Sequence, residues 1–129
     1  MSIRIVRLGT PRRSGEGVRL GTVRRPPRGV PKNRYSLDNW FDVWLPNLAP
    51  SARLLASAPK PTDPSGWNTF LAKYESEMAQ PENSRLLDTL AALSHHANFS
   101  VGCYCEDERW CHRGILRRIL KEHGAKIAS

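Results

Sequence analysis

Cysteine is scarce in this chain: three residues in 129, all between positions 103 and 111. They are too few and too clustered for the disulfide framework that staples small secreted domains, so a reducing compartment is expected. No apolar run approaches bilayer-spanning length, and the opening Met1-Ser-Ile-Arg has no cleavable signal pattern. The expectation is a soluble cytoplasmic protein with no membrane partner. Acid is nearly missing from the first 34 residues, which hold ten Lys or Arg against Glu16 alone, whereas residues 35–129 hold ten against eleven acids. The net charge of +8 therefore belongs to the N-terminal segment. Such asymmetry favours an anionic partner, either a small nucleotide-like ligand or a nucleic acid contacted through Arg12, Arg13 and Arg25. A solvated basic face accounts for it equally well.

At this length a single domain, 1–129, can bury one substantial core. Alternation predicts strands at Ile3–Leu8 and Val18–Arg24, separated by a charged Gly/Pro loop. Consecutive prolines make Arg24–Lys32 a stiff basic connection rather than a central strand. A helix is expected from Ser36, burying Leu37, Trp40, Phe41, Trp44 and Leu45 at helical spacing. A shorter helix follows Ser51. Longer ones begin near Pro64, with Trp67, Phe70, Leu71, Tyr74 and Met78 on one face, and near Pro81, with Leu86, Leu87, Leu90 and Leu93. The segment Phe99–Cys105 reads as a buried strand with Phe99, Val101, Cys103 and Cys105 on one face. In the last helix Ile115, Leu116, Ile119 and Leu120 form the apolar stripe, and Gly124 is its C-terminal cap. The expected class is α/β, a small and at least partly parallel sheet covered by helices.

Several ordered motifs carry a family likeness. Gly17-Val-Arg-Leu, Pro27-Arg-Gly-Val-Pro-Lys32, Leu37-Asp-Asn-Trp40, Leu48-Ala-Pro-Ser51 and the spacing of Trp67, Phe70, Tyr74 and Glu77 together resemble the YeaO-like branch of the domain of unknown function 488. Cys103, followed eight residues on by Cys111-His-Arg113, resembles the family's other branch, in which a strand ending in cysteine leads to a Cys-His-Arg turn. The resemblance spans roughly Ile3 to Leu120. It implies functional positions at Arg24, Arg28, Cys103, Cys111, His112 and Arg113. The chain departs from the family where Val23-Arg-Arg-Pro-Pro-Arg-Gly29 replaces an acid and a tryptophan.

Four chemistries compete for these residues. Arg28 and Arg113 can grip a phosphate or carboxylate, helped by N–H groups at the start of the last helix; alternatively, Arg113 pairs with Glu106, Asp107 or Glu108 and ties the loop down. Cys111 can act as a catalytic thiolate favoured by the helix start, with His112 as acid/base partner. Both residues can equally cap the buried helix face, giving a thiol-redox or purely structural Cys-His turn. Zinc could draw on Cys103, Cys105, Cys111 and His112, but the paired Cys-x-x-Cys spacing is missing and neighbours on a helix diverge by about 100°. Finally, Cys103 to Arg109 fits Cys-x5-Arg, but three consecutive acids would repel a phosphate there. The expectation is an anion site with Arg24, Arg28, Cys103 and Arg113 as ligand-binding residues, Cys111 and His112 as catalytic candidates, and no metal or cofactor.

Overall fold

The computed structural model describes residues 1–60, 62–106 and 111–128. Strands β1 (Ile3–Arg7), β2 (Val18–Gly21), β3 (Val43–Trp44) and β4 (Phe99–Cys103) form one sheet in the order β1-β4-β2-β3, with every pair parallel. The last strand in sequence is thus central, with Val101 between Ile5 and Leu20. All five residues of β4 are buried, as expected of a parallel strand covered on both faces.

Parallel pairing needs long crossovers, which helices α1 (Ala52–Ala56), α2 (Pro64–Met78) and α3 (Pro81–Leu93) supply between β3 and β4. Helix α4 (His112–Glu122) follows β4. The Ser51 hydroxyl accepts from the Leu54 N–H, and the Asp63 carboxylate accepts from the Gly66 N–H, capping α1 and α2 as their sequences suggest. Pro64 and Pro81 open α2 and α3, and Gly124 follows α4 with φ +94°. Trp67, Phe70, Tyr74, Met78, Leu87, Leu90, Leu116 and Leu120 pack with Ile3, Phe99 and Val101 in one core. Leu93 instead lies exposed.

The described helices pack on the sheet face that carries Ile3, Phe99 and Val101. On the other, Arg19 and Ser100 lie under the connections that hold Thr10, Glu16 and Asn39. Arg19 donates to Glu16 in bidentate fashion, from Nε at 2.8 Å and Nη2 at 3.1 Å, and its Nη1 donates to the Thr10 and Asn39 carbonyls. Ser100 Oγ and the Arg13 N–H complete the carboxylate's partners. This buried pair organises the charged Gly/Pro loop between β1 and β2.

The helix expected from Ser36 does not form. Lys32–Arg34 makes a single 3-10 turn, further turns follow, and the chain enters β3. Asn39 adopts φ +64°, which interrupts a right-handed helix. The Ser36 hydroxyl donates to Asp42 instead of capping, and Asp42 also accepts from Arg12 and from the Arg19 N–H. Leu37 is left 70% exposed, and the Trp44 indole donates to the Val23 carbonyl. Strand pairing with β2 and this carboxylate hub outweigh the apolar spacing. Two strand ends also differ: β2 stops at Gly21, and β4 stops at Cys103, leaving Cys105 exposed.

Candidate functional site

Cys103 closes β4, and the described chain resumes at Cys111, which has extended backbone angles (φ −144°, ψ 147°) at the N-cap of α4. Its side chain is therefore not on the helical spiral, and the divergence expected between Cys111 and His112 does not arise. Cys103 Sγ, Cys111 Sγ and a ring nitrogen of His112 lie within 4.8 Å of one another. The two thiols are 1% and 3% exposed, inside a small cluster with Leu8, Val23 and Phe41.

His112 Nε2 donates to the Thr22 carbonyl at 2.8 Å, and its ring meets Tyr74 edge-on at 5.4 Å. Burial pushes its pKa down to about 4 against the opposing pull of the Thr22 bond and Cys105. The imidazole is thus neutral near pH 7, with the proton on Nε2. Nδ1 keeps its lone pair, 3.8 Å from Cys111 Sγ.

The three thiols act together. Hydrogen bonds from Cys103 and then Cys111, aided by the charge of Arg113, bring the Cys105 pKa down to about 3 despite its partial burial. Bonding to Cys105 raises Cys103 to about 12, and bonding to Cys103 and Cys105 with burial pushes Cys111 up strongly. Cys105 is thus the thiol of the three that is both exposed and lowered in pKa, whereas Cys103 and Cys111 are buried. Arg113, 5% exposed, donates from Nη2 to the Glu106 carbonyl, while its Nε and Nη1 have no partner among the described residues. The Glu106 carboxylate instead meets Arg7 at 3.5 Å. Asp107, Glu108 and Arg109 lie outside the described residues, and with them the rest of the Cys-x5-Arg segment.

Beside this cluster, at the carboxyl edge of the sheet, a cleft of about 670 Å³ is lined by Arg7, Gly9, Arg25, Arg28, Trp40 and Tyr104 among others. Tyr104 follows the end of β4, and its hydroxyl donates to the Arg25 carbonyl. Trp40 packs edge-on against Tyr104 at 5.8 Å. Arg28 thus shares an edge with the cysteine turn, because β2 and β4 are parallel neighbours. Cys103, Cys111, His112 and Arg113 are not among the residues lining the cleft. Arg24 is directed elsewhere, donating to the carbonyls of Pro46, Ala49 and Pro50.

Much of the N-terminal positive charge has internal duties. Arg12 binds Asp42, Arg19 binds Glu16, Arg24 binds carbonyls and Arg34 binds Asp38. The cleft-lining Arg7, Trp40 and Tyr104 were not among the site residues expected from sequence. Tyr104 lies just past the end of β4 and packs against the cluster that holds Cys103 and Cys111. Trp40 had no readable signal, because its spacing mimicked a helix.

A wholly parallel sheet with a basic cleft and a Cys-His-Arg turn at its carboxyl edge defines an α/β protein with its candidate site where such folds place ligands. The chain belongs to the domain of unknown function 488 family, matching the group described as the active DUF488-N3 subclade over residues 3–124. No curated protein and no solved structure matches it. No helix among the described residues is long and apolar enough to cross a membrane.

Proposed function

We propose that this DUF488 protein binds a small anionic, nucleotide-like ligand in the cleft at the carboxyl edge of its sheet. The observation that carries this reading is the convergence of Arg7, Arg25 and Arg28 with the rings of Trp40 and Tyr104 around one cavity of about 670 Å³. That size falls within the range of roughly 300–1,000 Å³ common to small-molecule sites. Arg25 and Arg28 are exposed, so a guanidinium can meet a phosphate without first leaving a buried partner. The two rings offer an apolar wall on which a base or similar planar group can rest. In this reading Arg24 holds the cleft wall through the carbonyls of Pro46 to Pro50. Arg113 and Cys103 support the cleft from the interior, and Cys111 and His112 belong to the turn behind it.

Calorimetric titration with inorganic phosphate and a panel of nucleoside mono- and diphosphates tests the proposal. Saturable one-site binding is expected for at least one nucleotide, weakened about tenfold or more by Arg28→Ala, equivalent to roughly 1.4 kcal/mol. Absence of saturable binding across the panel, or an affinity unchanged in Arg28→Ala, overturns it.

A further inference from the structure

The carboxyl end of β4 and the first turn of α4 bring together a donor set that the cleft does not use. Cys103 Sγ, Cys111 Sγ and a His112 ring nitrogen are mutually within 4.8 Å, and Cys105, two residues beyond Cys103, is the remaining and exposed thiol of the same turn. From this geometry we infer a closed zinc site in which Cys103, Cys105, Cys111 and His112 Nδ1 hold one thiophilic divalent cation.

Three physical features support it. Tetrahedral zinc places its sulfur and nitrogen ligands about 3.5–3.8 Å apart. The separation of 3.8 Å between Cys111 Sγ and His112 Nδ1 already meets this, and 4.8 Å bounds the remaining pairs of the buried trio. The histidine is also oriented as metal-binding histidines are: one ring nitrogen donates to a backbone carbonyl, here Thr22, so the other presents its lone pair to the sulfurs. The charge balance is the third feature. Each binding cysteine releases its proton to solvent, so three thiolates, a neutral imidazole and a divalent cation sum to one negative charge. The buried Arg113 guanidinium, whose Nε and Nη1 have no partner among the described residues, is the cation positioned to offset it. Cys111 and His112 do not sit side by side on a helix, because the Cys111 backbone is extended, so the divergence of helical neighbours does not keep their donor atoms apart. Such a site would tie the β4–α4 connection to the sheet.

Cobalt(II) titration of the untagged full chain, with zinc as competitor, reads the site directly. One equivalent of Co²⁺ is expected to give the visible absorption of a tetrahedral ion and a near-ultraviolet sulfur-to-cobalt charge-transfer band, both bleached by one equivalent of Zn²⁺. Cys105→Ser, a change at an exposed position, should lower the charge-transfer intensity per cobalt by about a third. Zn²⁺ should also protect Cys105 from N-ethylmaleimide. Arg28→Ala should leave the cobalt spectrum unchanged, so this inference and the cleft proposal fail separately. A spectrum without sulfur charge transfer overturns the inference. So does a band that Cys105→Ser leaves intact.

Discussion

His112 Nε2 donates a 2.8 Å hydrogen bond to the carbonyl oxygen of Thr22, linking residues 90 apart in sequence. The bond fixes the tautomer of a buried imidazole and seats the first turn of α4 just beyond the end of β2. His112→Leu removes the donor while retaining an apolar side chain. In chelator-treated protein, urea unfolding should show a loss of about 1–3 kcal/mol. His112→Gln, whose amide can still donate to Thr22, should lose less. Equal losses would mean that ring packing against Tyr74, rather than the hydrogen bond, sets the contribution.

The Glu16–Arg19 pair makes the strongest stability prediction, because both side chains are buried and every charged atom is hydrogen-bonded. Arg19→Met strands a buried carboxylate and should cost about 3–5 kcal/mol in chemical denaturation. Combining it with Glu16→Leu should recover part of that loss, because the stranded charge goes as well. A double variant less stable than Arg19→Met would contradict this account.

Acid sensitivity follows from the same residues. Burial alone would raise the pKa of Glu16, but hydrogen bonds from Arg19, Ser100 and the Arg13 N–H, with the charge of Arg19, bring it below its ordinary value. At Asp42, hydrogen bonds from Arg12, Ser36 and the Arg19 N–H likewise outweigh desolvation and lower its pKa. Both carboxyl groups thus bind protons less readily in the folded state. Their stabilisation is present above the ordinary carboxylate range, around pH 4, and is lost as pH falls through it. Melting temperature should fall between pH 6 and 3, and less steeply in Asp42→Asn.

Gly17 enters β2 with φ +82°, and a Cβ there would lie 1.9 Å from the Asn98 carbonyl oxygen. Gly17→Ala should therefore cost at least about 2–3 kcal/mol, combining a left-handed backbone with a clash against main chain that cannot swing away. Gly15 has a similar φ of +75° but open space around it. Gly15→Ala should cost less, and thermal melts of the two variants compare them directly.

Burial separates the thiols. With chelator present, Cys105 alone should label with a maleimide in the native protein, whereas Cys103 and Cys111 should label only after denaturation. Peptide mapping of the adducts decides, and rapid native labelling of Cys111 would contradict its position in the core.

Local sequence determined the elements whose signals are carried along a single segment. Capping residues, helix-opening prolines and apolar stripes specified α1 to α4, and alternation specified β1 and β2. The Ser36 region shows where such signals fail: its helical spacing is real, but Asp42 has closer partners in Arg12, Ser36 and the backbone of Arg19, and Val43 pairs with Leu20. The cysteine turn was legible as a place, because all the thiols and the Cys-His-Arg motif lie in one short stretch. Its internal geometry was not. The backbone angles at Cys111, the reach of His112 to Thr22 and the convergence of Arg25 and Arg28 with Tyr104 all depend on β4 lying between β1 and β2. Periodicity records which face of an element turns inward, and only long-range strand pairing decides what that face meets.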